Sequence, residues 1–303
     1  MTKYFKVAEH CFSIDLEDSS PVWNELDNYS PFTTERGPVA FALSAGLSGE
    51  WKETDRASLI SEYVDRTEPE EPRIDLYSCP GGWVAEMAPN STMPPVASLR
   101  MSDDFTSGEV MFDRIQYGRY AIDNAAMLMF AFRTAGMKTL EMHSSVVMKD
   151  GRAYMFLAKS GTGKSTQSRM WLENIPGSVL LNDDNPVVRV MDDGSVRVFG
   201  TPWSGKTPCY RNLCADLGAM VRIRRSAGNR VTRLTNIEAY ALVSESCSGY
   251  RSIEEMADGL HETIASIVLR WPCFVLDCRP DADSAKVCSE AVCNSSPSDY
   301  YSE

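Results

Sequence analysis

Ala153-Tyr154-Met155-Phe156-Leu157-Ala158-Lys159-Ser160-Gly161-Thr162-Gly163-Lys164-Ser165-Thr166 runs from an apolar segment through a glycine turn into a Lys-Ser pair. The run Ala153–Ala158 reads as a buried strand. From Ser165 through Asn174 the spacing predicts a helix, with Met170, Trp171 and Leu172 available to pack inward. Strand, glycine turn and helix in that order form a phosphate cradle. Successive backbone N–H groups face an anion at a helix N-terminus, where the dipole adds positive charge. In this reading Ser160, Gly161, Thr162, Gly163, Lys164, Ser165 and Thr166 hold nucleotide phosphates. The Lys164 ammonium lies against the β- and γ-phosphates as a compact charge, and the Ser165 hydroxyl ligates Mg²⁺. Gly161-Thr162-Gly163-Lys164 is no dinucleotide fingerprint, because the final glycine of that pattern is absent.

A second stretch matches the phosphate-loop pattern better. Gly200-Thr201-Pro202-Trp203-Ser204-Gly205-Lys206-Thr207 fits it without a blemish, whereas the first stretch has Ala158 in place of the opening glycine. Physics nevertheless favours the first. Pro202 removes an N–H from the middle of the cradle, Pro208 follows at once, and no amphipathic helix is legible beyond it.

Working outward, strand signals at Leu140–Met148, Val179–Asn182, Ser195–Phe199, Ala219–Arg224 and Phe274–Asp277 alternate with helical signals at Ile237–Val243 and Ile253–Arg270. That alternation predicts an α/β layer domain. Tyr120–Ala135 is apolar around a whole helical period and is expected to end at Gly136 as a C-cap. Upstream, Lys6–Ile14 and Val39–Ala45 are apolar-rich, and Trp83–Met87, Ala97–Met101 and Glu109–Ile115 alternate as half-buried antiparallel strands do. The expected organisation is a small, mainly β lobe at 1–115, an ATP-binding P-loop domain at 116–293, and a flexible polar tail at 294–303.

Composition narrows the partners. The chain has 303 residues, 43% hydrophobic and 24% charged, with a formal net charge of −12. Such an acidic chain lacks the basic face a nucleic-acid binder needs, so nucleic acid is not expected. Ala125–Phe132 is far shorter than the roughly 20 residues of a membrane span, and Met1–Lys6 leads into no apolar signal region. The expected place is the cytoplasm, with no membrane partner and with oligomerisation left open. Nine cysteines contain no C-x-x-C pair; the odd count favours reduced, mostly buried thiols.

Asn182-Asp183-Asp184-Asn185-Pro186 closes the apolar run Val179–Leu181, one helix beyond the glycine turn. Carboxylates at a strand's C-terminal end reach bound ligands in open α/β sheets. One aspartate can hold Mg²⁺ while the other accepts a proton from an attacking hydroxyl. Without the glycine turn, the same residues read as a plain Asp-Asp-Asn-Pro turn. Taken alone, His143 in its predicted strand reads more readily as a satisfied core histidine than as a ligand. Lys206 alone reads as a solvated loop lysine, and His10 and His261 as structural.

Together these segments resemble a known group. Met142-His143-Ser144-Ser145, Phe156–Thr166 and Asn182-Asp183-Asp184 are similar, in order and kind, to the ATP-binding core of phosphoenolpyruvate carboxykinases and of HPr kinase/phosphorylase. Phe199–Thr207 is similar to the carboxykinase loop that supplies a lysine to the phosphates, here Lys206. The resemblance implies a P-loop carboxykinase/HPr kinase-like α/β core with a mixed sheet, behind a small N-terminal β-rich lobe. It implies ATP with Mg²⁺, or Mn²⁺ in its place. It also implies a catalytic set of Asp183, Asp184, His143 and Lys206, and metal ligation by Ser165, Asp184, Asp183 and His143. The expected reaction moves the γ-phosphoryl of ATP to a hydroxyl of a small molecule, peptide or protein, serine among them. Two alternatives stand beside it: a carboxykinase, and a catalytically degenerate module that senses nucleotide and binds a peptide. Against the carboxykinase, Tyr117–Phe132 contains no lysine where that family carries a metal-binding one, and Asn124 stands near the place.

Overall fold

The computed structural model describes residues 1–48, 59–63, 72–205 and 207–295. The chain divides into two compact units, Met1–Arg133 and Thr134–Glu303. Both contain mixed β-sheets, and the architecture is α/β.

In the first unit eight strands form one sheet: β1 (Thr2–Val7), β2 (His10–Asp15), β3 (Phe41–Leu47), β4 (Leu59–Tyr63), β5 (Arg73–Cys79), β6 (Gly82–Ala88), β7 (Ala97–Ser102) and β8 (Ser107–Phe112). Their order is β1-β2-β3-β8-β7-β6-β5-β4. The apolar run Lys6–Ile14 folds as part of a hairpin. Ala8 and Glu9, at φ of 47° and 63°, make the two-residue turn whose twist suits antiparallel strands. Strand β3 runs parallel to both β2 and β8, and the meander β5–β8 is antiparallel.

Helix α1 (Gly118–Thr134) packs within this unit, so the division falls after Arg133 and not at 115. Phe130 meets Phe12 and His10 edge-on, and Phe132 meets Phe105. Asn28 Nδ2 donates to Asp123 Oδ1 at 3.0 Å, and burial pushes the Asp123 carboxyl up. An all-round apolar helix declares that it is buried but not against which sheet. Gly136 is not its terminator. The helix tightens into a 3₁₀ turn at Ala135–Met137 and stops at Lys138, whose φ of 54° is left-handed.

The second unit is built on β9 (Thr139–Glu141), β10 (Ser144–Lys149), β11 (Arg152–Leu157), β12 (Val179–Asp184), β13 (Val187–Val190), β14 (Val196–Phe199), β15 (Cys214–Arg225), β16 (Arg230–Arg233) and β17 (Cys273–Cys278). Strand β15 forks the sheet. Its first residues pair with β14 and its last with parallel β17, while parallel β11 lies along its other edge. Four helices follow in this unit: α2 (Lys164–Asn174), α3 (Asn236–Ser246), α4 (Glu254–Val268) and α5 (Ala282–Cys293). The core beneath α2 and α5 joins Tyr154, Phe156, Val221, Phe274 and Leu276 to Trp171, Cys288 and Val292. Fully buried Trp171 sits 5.1 Å from the Tyr154 ring and 5.6 Å from Phe156, centroid to centroid.

The single strand expected at Leu140–Met148 is two strands. The chain leaves β9 at Met142-His143 and enters β10 at Ser144, so His143 lies in the break and not in a strand. There Met142 bridges Cys247, and the His143 N–H donates to Ser246 O at 2.7 Å. All nine cysteines are free thiols and five are buried. Among the described residues no helix is long and apolar enough to cross a membrane. Of the tail, 296–303 lie outside the described residues.

Candidate functional site

Strand β11 ends at Leu157, and Thr162 N–H closes a tight turn onto Lys159 O at 3.2 Å. Gly161 and Gly163 have φ of 70° and 132°, which L side chains rarely adopt, although the space around each is open. Glycine is therefore required by the backbone conformation and not by crowding. Helix α2 starts at Lys164 with Gly163 as its N-cap, a residue with no side chain to bond the first amides. Such an entrance is where anions bind.

Five predicted residues converge here. The buried Lys164 places Nζ 2.9 Å from His143 Nε2 and donates to Ala158 O at 3.1 Å. Ser165 Oγ donates to Asp183 Oδ1 at 2.9 Å. His143 Nε2 lies 3.1 Å from Asp184 Oδ1. The antiparallel register of β10 against β12, Ser144 opposite Asp184 and Ser145 opposite Asp183, brings these pairs to one end of the sheet. Nε2 of His143 faces both an ammonium and a carboxylate. One ring nitrogen carries either a lone pair or a proton, so it satisfies only one of them at a time.

Asp184 has a φ of 140°, an unusual backbone for a side-chain-bearing residue. Strain of that kind persists only where neighbours over-determine it. They do so here. Gly205 N–H and Ser204 Oγ both donate to Asp183 O, at 2.8 and 3.1 Å, and Ser204 bridges Asp184. A Cβ on Gly205 would stand 2.9 Å from Asp184 Oδ2. Fully buried Asn182 donates to Thr201 Oγ1 at 3.1 Å and to Trp203 O at 3.2 Å. Its Oδ1 accepts from Asn185 N–H at 3.0 Å. The strand end carrying the acidic pair is thus tied to the loop that leads to Lys206. Lys206 itself lies outside the described residues.

The flawless pattern at Gly200–Thr207 opens as a buried strut, Gly200 to Trp203. A Cβ on Gly200 would sit 2.1 Å from Arg211 O, Thr201 is fully buried, and no helix follows before β15 among the described residues. Gly200→Ala should therefore lower stability by about 2–4 kcal/mol through backbone collision. Thermal unfolding measures it, and an unchanged melting temperature would contradict the packing described.

For a metal, the expected set splits in two. Among the described residues no three His, Cys, Asp or Glu side chains converge on one point. What remains is an oxygen pair, Ser165–Asp183, and a mixed pair, His143–Asp184. The oxygen pair fits Mg²⁺: two neighbouring ligands of an octahedral ion, each ~2.1 Å from it, lie ~2.9 Å apart. Phosphate oxygens and water would complete that shell.

Glu141 went unnoticed in the sequence, although a glutamate inside an apolar strand beside His143 is itself a signal. It is 1% exposed, and burial raises its carboxyl from the ordinary 4.5 to about 7. Asp184 adds to the shift, while Ser248 and His143 offset part of it. Between pH 4.5 and 7 the folded chain binds more protons than the unfolded chain, so stability falls as pH rises through that window. The loss totals about 3 kcal/mol and persists above pH 7. Glu141→Gln should flatten the melting temperature against pH and gain most above pH 7. A slope equal to the wild type's would remove Glu141 as its source.

His261, on α4, lies 2.9 Å from the Tyr240 hydroxyl, and His10 lies against Phe130; neither joins this cluster. No family model matches the chain, and no curated protein matches it significantly.

Proposed function

We propose that this chain is an ATP- and Mg²⁺-dependent phosphotransferase with an HPr kinase/phosphorylase- and carboxykinase-like P-loop core. One observation carries the reading. The glycine turn delivers Lys164 and Ser165, at a glycine-capped helix entrance, onto Asp183 and Asp184 at the end of β12 and His143 just before the start of β10. A lysine, a hydroxyl and two carboxylates at a helix N-terminus are the parts phosphoryl transfer uses for positioning and charge neutralisation.

The roles follow from the contacts. Lys164 exchanges its hydrogen bond with His143 for the β- and γ-phosphate oxygens. Asp183, buried and bonded to Ser165, holds the metal side, where Mg²⁺ supplies neutralisation of phosphate charge. Asp184 has a more exposed side chain, and once Lys164 has moved, it keeps His143 as its partner. It takes the proton of the attacking hydroxyl as the oxygen–phosphorus bond forms and the bond from phosphorus to the ADP oxygen breaks. A serine hydroxyl, free or in a peptide, is the acceptor expected from the resemblance. The carboxykinase reading uses the same residues but lacks a lysine within Tyr117–Phe132.

Calorimetry of wild-type protein with Mg·ATP, followed by ³¹P NMR with serine, a serine peptide and oxaloacetate, tests the proposal. Binding followed by phosphoserine formation supports it. Turnover with oxaloacetate alone would move the assignment to the carboxykinase, and no nucleotide binding would sink both.

A further inference from the structure

Three arginines end β15, and they are used differently. Arg222 donates to Glu245 at 3.2 Å, and Arg224 makes a two-pronged pair with Asp277. Arg225 instead donates from Nε to Thr162 O at 3.0 Å and from Nη2 to Gly161 O. The parallel register explains how it gets there. Leu157, the last residue of β11, stands opposite Arg222, so β15 continues three residues alongside the glycine turn.

A trans peptide sends its C=O and N–H in opposite directions. Drawing the Thr162 carbonyl toward Arg225 therefore aims the Gly163 N–H away from it. The Gly161 carbonyl, drawn the same way, aims the Thr162 N–H at Lys159 O, where it bonds at 3.2 Å. Two peptide planes of a turn with glycines at φ of 70° and 132° are thus set by one guanidinium fork. Without that fork both glycines have wide alternatives.

We propose that Arg225 is a positioning residue of the phosphate loop, orienting the peptide planes on either side of Thr162 so that the helix entrance is preset for a nucleotide's phosphates. The proposal rests on the nucleotide reading of Ser160–Thr166. It does not make Arg225 a phosphate ligand, because its donors are directed at carbonyl oxygens.

The test compares wild type, Arg225→Ala and Arg225→Lys, by calorimetry with Mg·ATP and by hydrogen–deuterium exchange of residues 158–165 without nucleotide. Arg225→Ala should bind Mg·ATP about tenfold more weakly, the loss expected for charge-assisted hydrogen bonds partly open to water. Its loop amides should exchange faster while the melting temperature stays near the wild type's, a local effect that general destabilisation would not give. Arg225→Lys, a single compact donor group, should fall between the two. Equal affinity and equal exchange overturn the proposal. Tighter binding by Arg225→Ala overturns it too, since the arginine would then be holding the loop closed. Failure of the wild type to bind Mg·ATP removes the nucleotide reading together with this one, whereas wild-type binding with an indifferent Arg225→Ala removes this one alone.

Discussion

Lys164→Ala should lose Mg·ATP binding by a factor of about 100 or more, read by calorimetry against the wild type. Its ammonium sits at the entrance of α2, buried, with Ala158 O and His143 Nε2 as its neighbours. At a helix N-terminus, beside a glycine turn, an ammonium in that place can reach the oxygens of a bound phosphate. Charge-assisted contacts to two phosphates contribute roughly 3 kcal/mol or more, which is the factor of 100. The fold should survive, because His143 keeps Asp184 as a partner when the lysine is removed. Lys164→Met retains most of the volume and serves as the control for packing. Lys164→Arg should also fail, because a planar fork does not fit where a compact ammonium does. Undiminished binding in both Lys164→Ala and Lys164→Met would place any nucleotide away from Ser160–Thr166.

The residues that decide this site were legible because each carried its own physics. An apolar strand, two glycines and a Lys-Ser pair specify a turn and a helix start without help from distant contacts. Proline at 202 excluded the better-matching pattern for the same local reason. What stayed hidden depended on tertiary partners. The apolar pattern runs on through Met142-His143, so nothing local marks the break; Ser246 and Cys247 make it, about a hundred residues later. Strand β16 is mostly exposed, and α5 buries Ser284, Ala285, Cys288 and Val292, too few large apolar residues to announce either element. Arg225 gave no signal at all, since only the parallel pairing of β11 with β15 brings it to the loop. The first unit's ownership of α1 was similarly invisible, because burial on all sides names no partner.

Asp184→Asn should leave Mg·ATP affinity within about threefold of wild type and lower the rate of phosphoryl transfer by about a thousandfold, within the usual range for removing a general base. The amide keeps the size of the carboxylate and a hydrogen-bonding oxygen for His143, but it cannot take a proton from a hydroxyl. Asparagine tolerates positive φ about as well as aspartate, so the strained backbone at 140° needs no rearrangement. Asp183→Asn is the contrasting variant. Its loss should appear as a higher Mg²⁺ requirement, because Asp183 is the carboxylate bonded to Ser165. Single-turnover measurements with ³²P-labelled ATP, alongside calorimetry of both variants, separate the two roles. If Asp184→Asn instead loses Mg·ATP binding while Asp183→Asn keeps it, the assignments exchange, and the base is the buried aspartate. If neither variant slows transfer, the acidic pair has no part in the chemistry, and the turn that ends β12 is only the clasp that holds the loop after Gly200.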